Sequence, residues 1–148
     1  MSVEISKMRE CDSRAWADMR FKLWDSLSVD EHLVDIERML KGGKRTSYIA
    51  RLRNNVPVGF AEISIRDYAN GCTAHPVAFL EGIWVDPKHR RKGVGRGLLA
   101  EITNGLLVQG FKELCSDAGI RDRRSHQAHA DWGFTETDRV VYFRKALE

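Results

Sequence analysis

A mixed α/β fold is what this sequence predicts, on three observations. Two helical patterns at the amino end give way after Lys44 to strand patterns. An apolar strand, a glycine-rich turn, an amphipathic helix and a short second strand then follow in the order of a crossover unit. Finally, 148 residues suit one ordinary domain, residues 1–148, with no linker, repeat or low-complexity segment to divide it.

Each element has its own signal. Residues 3 to 9 alternate weakly and predict a short edge strand. In "DSRAWADMRFKLW", Asp12 or Ser13 is a cap, and Trp16, Met19, Arg20 and Leu23 recur at helical spacing with their apolar members facing a core. "SVDEHLVDIERMLKGG" repeats the pattern. Ser28 caps, Glu31 follows three residues later, Leu33, Ile36 and Leu40 form one apolar face, and Gly42 and Gly43 stop it.

"TSYIARLR" and "NNVPVGFAEISIR" read as a hairpin around Asn-Asn, followed by the loop "DYANGCTAHP". "VAFLEGIWVD" is apolar but for Glu81 and Gly82, as expected of a strand inside its sheet. Val94, Leu98, Leu99, Ile102 and Leu106 then predict a helix that runs to about Gln109 and stops at Gly110. "FKELCSDAG" predicts a short strand, "RDRRSHQAHADWG" a short helix, and "FTETDRVVYFRKAL" a last pair of strands.

Charge and cysteine content narrow the function classes. A formal net charge of +3 permits an anionic ligand without demanding a polyanion. Cys11, Cys72 and Cys115 are widely spaced with no C-x-x-C pair, which predicts free thiols in a reducing compartment rather than a disulfide framework or a zinc knot. The first residues are polar and no apolar run reaches membrane-spanning length, so a cytoplasmic protein with no membrane partner is expected.

The stretch "DPKHRRKGVGRGLL" concentrates the chemistry. Five cationic or potentially cationic residues run from Lys88 to Lys92, and glycines follow at 93, 95 and 97. A solvated turn is one reading. A nucleic-acid stripe is another, but it needs basic residues on several elements and stacking aromatics, and neither is evident. The third is a phosphate cradle, because glycines between a buried strand and a helix bring bare N–H groups together at a helix start. The run lacks the G-K-S/T ending of a Walker loop and sits too late in the chain for a dinucleotide fingerprint.

With Arg90, Gly93 and Gly95 in its three marked positions, "VDPKHRRKGVGRGLL" resembles the acetyl-CoA-binding motif of the GCN5-related N-acetyltransferase (GNAT) superfamily. The resemblance covers essentially the whole chain. It implies a single mixed, mostly antiparallel sheet flanked by helices, with a central parallel strand pair splayed to admit acetyl-CoA. "RDYANGCTAHPVAFLEGIWV", "SDAG", "KLWDS" and His129 through Phe134 are similar to the aminoglycoside 6'-N-acetyltransferases, a resistance branch of that superfamily.

The resemblance implies roles for particular residues. Backbone amides among Arg90, Arg91, Lys92, Gly93, Val94, Gly95 and Arg96 would hold the coenzyme A pyrophosphate, and those of Ile83, Trp84 and Val85 would polarise the thioester. Gly97 is read as easing helix packing. Glu81 has a physical reading too: a carboxylate in an apolar strand must face a cleft, be paired or turn outward to water. In the resembling enzymes a glutamate in this phrase contacts the amine and takes its proton, directly or through water.

Trp24, Asp25 and Asp117 are implied as substrate-lining residues, and Tyr68, in the glycine-bearing loop, is expected to touch substrate. Asp30, Glu31 and Asp35 extend a possible acidic cleft for a polycation, with a solvated face as the alternative. Many superfamily members place a tyrosine acid where this chain has His129. Tyr142, in the last strand-like piece, is the preferred candidate and His129 the second. His126 and His129 do not make a metal site without matching ligands, and Cys115 reads as buried packing.

The expected activity is acetyl transfer from acetyl-CoA to the 6'-amino group of an aminoglycoside by direct attack, with no metal, no nucleic acid and a homodimeric state. The alternatives are the same chemistry on a polyamine, another small amine or a protein amine, and a noncatalytic protein that binds acetyl-CoA or a small cation.

Overall fold

The computed structural model of the protein describes residues 2–148. Strands β1 (Val3–Lys7), β2 (Arg45–Leu52), β3 (Pro57–Arg66), β4 (Val77–Val85) and β5 (Leu114–Cys115) form one sheet in the order β1-β2-β3-β4-β5. The first three pairings are antiparallel and β4 runs parallel to β5. Helices α1 (Ser13–Leu23) and α2 (Val29–Gly42) cover one face, and α3 (Val94–Val108) covers the other. Helix α4 (Arg123–Asp131) follows β5.

The two faces divide the apolar side chains by alternation. Tyr48 and Ala50 of β2 lie with Ala61, Ile63, Leu98 and Ile102 in the core under α3, whereas Ile49 joins Trp16, Met19, Ile36, Phe60 and Trp84 under α1 and α2. Helix α2 starts as its sequence predicts: Ser28 Oγ accepts the Glu31 N–H at 3.1 Å, and Glu31 Oε1 accepts the Ser28 N–H at 3.0 Å. It ends at left-handed Gly43.

Its buried face differs from the predicted one. Leu40 is 42% exposed, and His32 occupies the interior fully buried. Polarity hides such a residue from any hydrophobic pattern, and a buried network explains why it is tolerated. Glu62 of β3, also fully buried, accepts from Arg20 Nη1 at 2.5 Å, Trp16 Nε1 at 2.9 Å and Arg45 Nη1 at 3.2 Å. Arg20 Nε donates to His32 Nδ1 at 3.1 Å, which leaves the His32 proton on Nε2, where it meets the Trp24 carbonyl at 2.8 Å. One buried carboxylate thereby ties α1, α2 and the Trp24 turn to the sheet.

Two further expectations are corrected. Cys72 and Cys115 are joined as a disulfide, their Cα atoms 6.4 Å apart. A separation of 43 residues conceals that the loop after β3 returns against β5. Cys115 is buried as expected, but as a bonded partner. Second, residues 135–148 form no strand. Their β-favouring composition meets no neighbouring backbone, and propensity alone does not make a ladder.

Replacing Arg20 with Met should leave Glu62 short of its principal cation and lower the unfolding free energy by about 3 kcal/mol, the lower end for breaking a buried pair. Urea denaturation followed by tryptophan fluorescence measures it.

Candidate active site

The pairing of β3 with β4 is irregular at one position. Ala61 faces Ile83 and Glu62 faces Gly82, but Ile63 faces Leu80, so Glu81 is the extra residue of a β-bulge. The bulge changes the phase of the strand. Ala78 and Leu80 point into the α3 core before it, and Ile83 and Val85 point there after it. Glu81 is thereby turned to the face that carries Ser64 and Arg66. Gly82 beside it lets the Trp24 indole lie directly on the strand, since a Cβ there would run into Cζ2 and Cη2 of that ring.

Glu81 is 15% exposed at its side chain and fully paired. Arg66 donates to both oxygens, Nε to Oε2 at 3.0 Å and Nη2 to Oε1 at 2.8 Å, and the Ser64 hydroxyl donates to Oε2. Burial acts to raise its pKa. The hydrogen bonds from Arg66 and Ser64, with the charges of Arg66 and Arg45, outweigh burial and hold it below the ordinary value of 4.5. The Arg66 guanidinium also lies 3.6 Å from the centre of the Phe79 ring.

Strands β4 and β5 pair only through Ala78–Leu114 and Phe79–Cys115. Beyond that point β4 continues to Val85 without a partner on this side, which leaves backbone groups of its outer half at a fork. Continuing the register brings Asp117 level with Glu81. The side chains of Trp84 and Val85 are buried and Ile83 packs on the α3 core, so these three residues offer backbone to the fork.

The glycine-rich turn opens α3. Gly93 is its left-handed cap residue at φ 86°, and the Gly97 N–H bonds back to the Gly93 carbonyl at 2.9 Å. No side chain caps this end, so the N–H groups of Val94, Gly95 and Arg96 face outward at the positive pole of the helix. That is an anion cradle built of backbone. Of the basic side chains, Arg90 Nε turns back to the Val85 carbonyl at 2.8 Å and braces the turn, Arg96 reaches the Asp131 carbonyl at 3.4 Å, and Arg91 and Lys92 are exposed. A Cβ at Gly95 would come within 3.0 Å of the Trp132 ring, so this glycine admits the end of α4 against α3. Gly97 makes the same allowance for Ile5.

A cavity of about 1460 Å³ lies between these parts, with Arg66, Asp117, Arg96, His129, Trp132 and Tyr142 on its wall. Its wall carries Arg66 but not Glu81, which Arg66 covers. His129 is held firmly: its Nδ1–H donates to the Ser125 carbonyl at 2.7 Å, and Nε2 accepts from Ser116 Oγ at 2.7 Å. Tyr142 lies on the cavity wall, 80% exposed.

The remaining implied residues scatter. Tyr68 and Asp25 are exposed. Asp35 lies 3.8 Å from Arg38, and Glu31 belongs to the α2 cap, so the acidic cleft contracts to fewer carboxylates than the sequence allowed. Arg66, Ser64 and Ser116 were missed. Arg66 and Ser64 follow "AEISIR" at alternate positions and share a face with Glu62, a signal that alternation contains but chemistry does not mark.

Comparison with known proteins agrees with this geometry. The description "Acetyltransferase (GNAT) family" matches residues 8–134. An aminoglycoside N(6')-acetyltransferase type 1 of Serratia marcescens is 41% identical over 90% of this chain and 92% of its own. The crystal structure of aminoglycoside antibiotic 6'-N-acetyltransferase AAC(6')-Ih from Acinetobacter baumannii superposes with a TM-score of 0.92 at 34% identity, covering 99% of this chain and 100% of that one. The structure of AAC(6')-Iy in complex with the bisubstrate analog CoA-S-monomethyl-acetylneamine has a TM-score of 0.91 at 36% identity over 99% and 100% of the two chains.

Because its folded pKa is depressed, Glu81 contributes stability that is fully present above about 4.5 and is lost as pH falls through its lowered value. The melting temperature of Glu81→Gln should therefore lie below that of the parent at neutral pH. The gap should close as the solution is acidified below pH 4.5, which thermal scans across pH measure.

Proposed function

The chain belongs to the acetyltransferase (GNAT) family, and from that premise we propose that it transfers the acetyl group of acetyl-CoA to the 6'-amino group of aminoglycosides. One observation carries the reading: an ionised carboxylate, Glu81, one guanidinium away from the cavity, stands on the same strand whose open fork leads into the uncapped start of α3. Relatives named for this activity span nearly the whole chain.

The residues divide the work. The outward N–H groups of Val94, Gly95 and Arg96 hold the pyrophosphate of coenzyme A. The free edge of β4 pairs with the amides of the pantetheine arm, and backbone N–H groups near Ile83 to Val85 polarise the thioester carbonyl. Acetyl-CoA supplies the activated acyl group. Glu81 attracts and orients the substrate ammonium, with Asp117 on the cavity wall and Trp24 on the strand beside it. A carboxylate held below its ordinary range is a weak base, so the proton passes from Glu81 to water rather than resting on it. Tyr142 or His129 returns a proton to the departing thiolate. Tyr142 offers a hydroxyl on the cavity wall, and His129, whose Nε2 accepts from Ser116, serves only after that nitrogen has taken a proton from water.

The protein acts as a homodimer, and its acetyl donor places it in the cytoplasm even with Cys72 and Cys115 bonded. Val141, Tyr142, Phe143 and Leu147 are exposed on a segment that lacks a strand partner, and a second copy supplies one. Among the described residues no helix is long and apolar enough to cross a membrane. One domain, residues 1–148, carries both ligands.

Purified protein incubated with acetyl-CoA and kanamycin should release free thiol and yield the 6'-N-acetyl product by mass spectrometry. Turnover only of polyamines or peptides would reject the aminoglycoside reading. Glu81→Gln should lower kcat/KM by about a hundredfold, the low end for a proton-transferring group, while coenzyme A binding by calorimetry stays unchanged. Of Tyr142→Phe and His129→Phe, the one that removes the proton donor should lower kcat with little change in KM. Light scattering should give twice the chain mass.

A further inference from the structure

Arg66 sits where a substrate cation is wanted. Its guanidinium takes both oxygens of Glu81, lies over Phe79 and forms the cavity wall in place of the carboxylate. A primary ammonium approaching from the cavity therefore meets a positive charge first. It reaches Glu81 only by displacing a bidentate pair, the strongest form of such contact.

We propose that Arg66 is a specificity-determining residue of the acceptor site: a built-in cation that competes with the substrate ammonium for Glu81 and yields only to a polycation held elsewhere. This rests on the aminoglycoside reading and deepens it. A monoamine brings one charge and one point of attachment, and it gains little by evicting a guanidinium that is already paired and stacked. An aminoglycoside brings further ammonium groups, which other carboxylates such as Asp117 hold while the exchange occurs.

The surroundings of Arg66 allow the exchange. Its guanidinium is tied to Glu81 and shares the cavity wall with Asp117. When Glu81 is taken, the guanidinium, at 42% side-chain exposure, is open to water. The groups that face Glu81 itself are Ser64 and Arg66 from β3 and, at longer range, Arg45 from β2. Arg45 is engaged with Glu62, so Arg66 is the cation of the set that meets the cavity.

The test compares the parent with Arg66→Gln and Arg66→Lys on kanamycin and on 6-amino-6-deoxyglucose, a single ring with one amine. Arg66→Gln should lower KM for the single-ring amine and narrow the KM ratio of the two substrates by about tenfold, the equivalent of one pKa unit of interaction. The acidic limb of kcat/KM should move up by roughly one pH unit, the lower end for a carboxylate losing a neighbouring guanidinium. Arg66→Lys keeps the charge without the fork and should fall between.

An unchanged ratio and an unmoved acidic limb in a folded variant would overturn the proposal and leave Arg66 a brace for the bulge. So would KM values that rise together. If Arg66→Gln does not fold, Arg66→Lys decides by the same ratio. If the parent acetylates no aminoglycoside, the functional reading fails separately. Carboxyl NMR of Glu81 in the parent and Arg66→Lys then still judges the pairing, and an identical titration would overturn it.

Discussion

Between Glu62 and Ile63 of β3 the facing strand carries one residue more than the ladder accommodates, and that residue is Glu81. A strand of strict alternation has no way to place Leu80 and Ile83 in the same core, because they are three apart. The bulge absorbs the odd residue and leaves both under α3. Glu81 turns to the opposite face, and Gly82 follows it closely enough for Trp24 to lie on the backbone. Core packing and the placement of the site's carboxylate are thus satisfied by the same irregularity.

Beneath that face a second carboxylate performs a different task. Glu62 is fully buried and surrounded by Arg20, Arg45 and Trp16, while Glu81 is reached from solvent through a single guanidinium. Two glutamates on one face of adjacent strands therefore separate by environment: one is locked into the scaffold, and the other is paired to a half-exposed guanidinium. The chain from Glu62 through Arg20 and His32 to the Trp24 carbonyl fixes the turn after α1, so the scaffold carboxylate indirectly sets where Trp24 lies on β4.

Much of this organisation is legible in the sequence where the signal is local. The Ser28–Glu31 cap, the glycine stop after α2 and the glycine-rich start of α3 depend on neighbours within one turn, and each lies where its pattern predicts. Glu81 stood out because a charge in an apolar strand demands a reason. His32 and Arg66 did not, because their reasons are residues 12 and 15 positions away on other elements. The terminal segment failed in the opposite sense: "RVVYFRK" has the composition of a strand, but pairing is a property of two backbones and this segment joins no ladder.

By itself the sequence determined the order of elements as far as α4, the glycine-rich start of α3 and the family resemblance, since helix periodicity, capping and turn chemistry act over a few residues. Tertiary structure alone decided that Glu81 occupies a bulge, that Arg66 covers it, that His32 is buried against the Trp24 carbonyl, and that Cys72 meets Cys115. Each of these is a contact between elements that approach only when the sheet assembles. Electrostatic pairing and desolvation at such contacts depend on distance in space, and separation along the chain does not encode it.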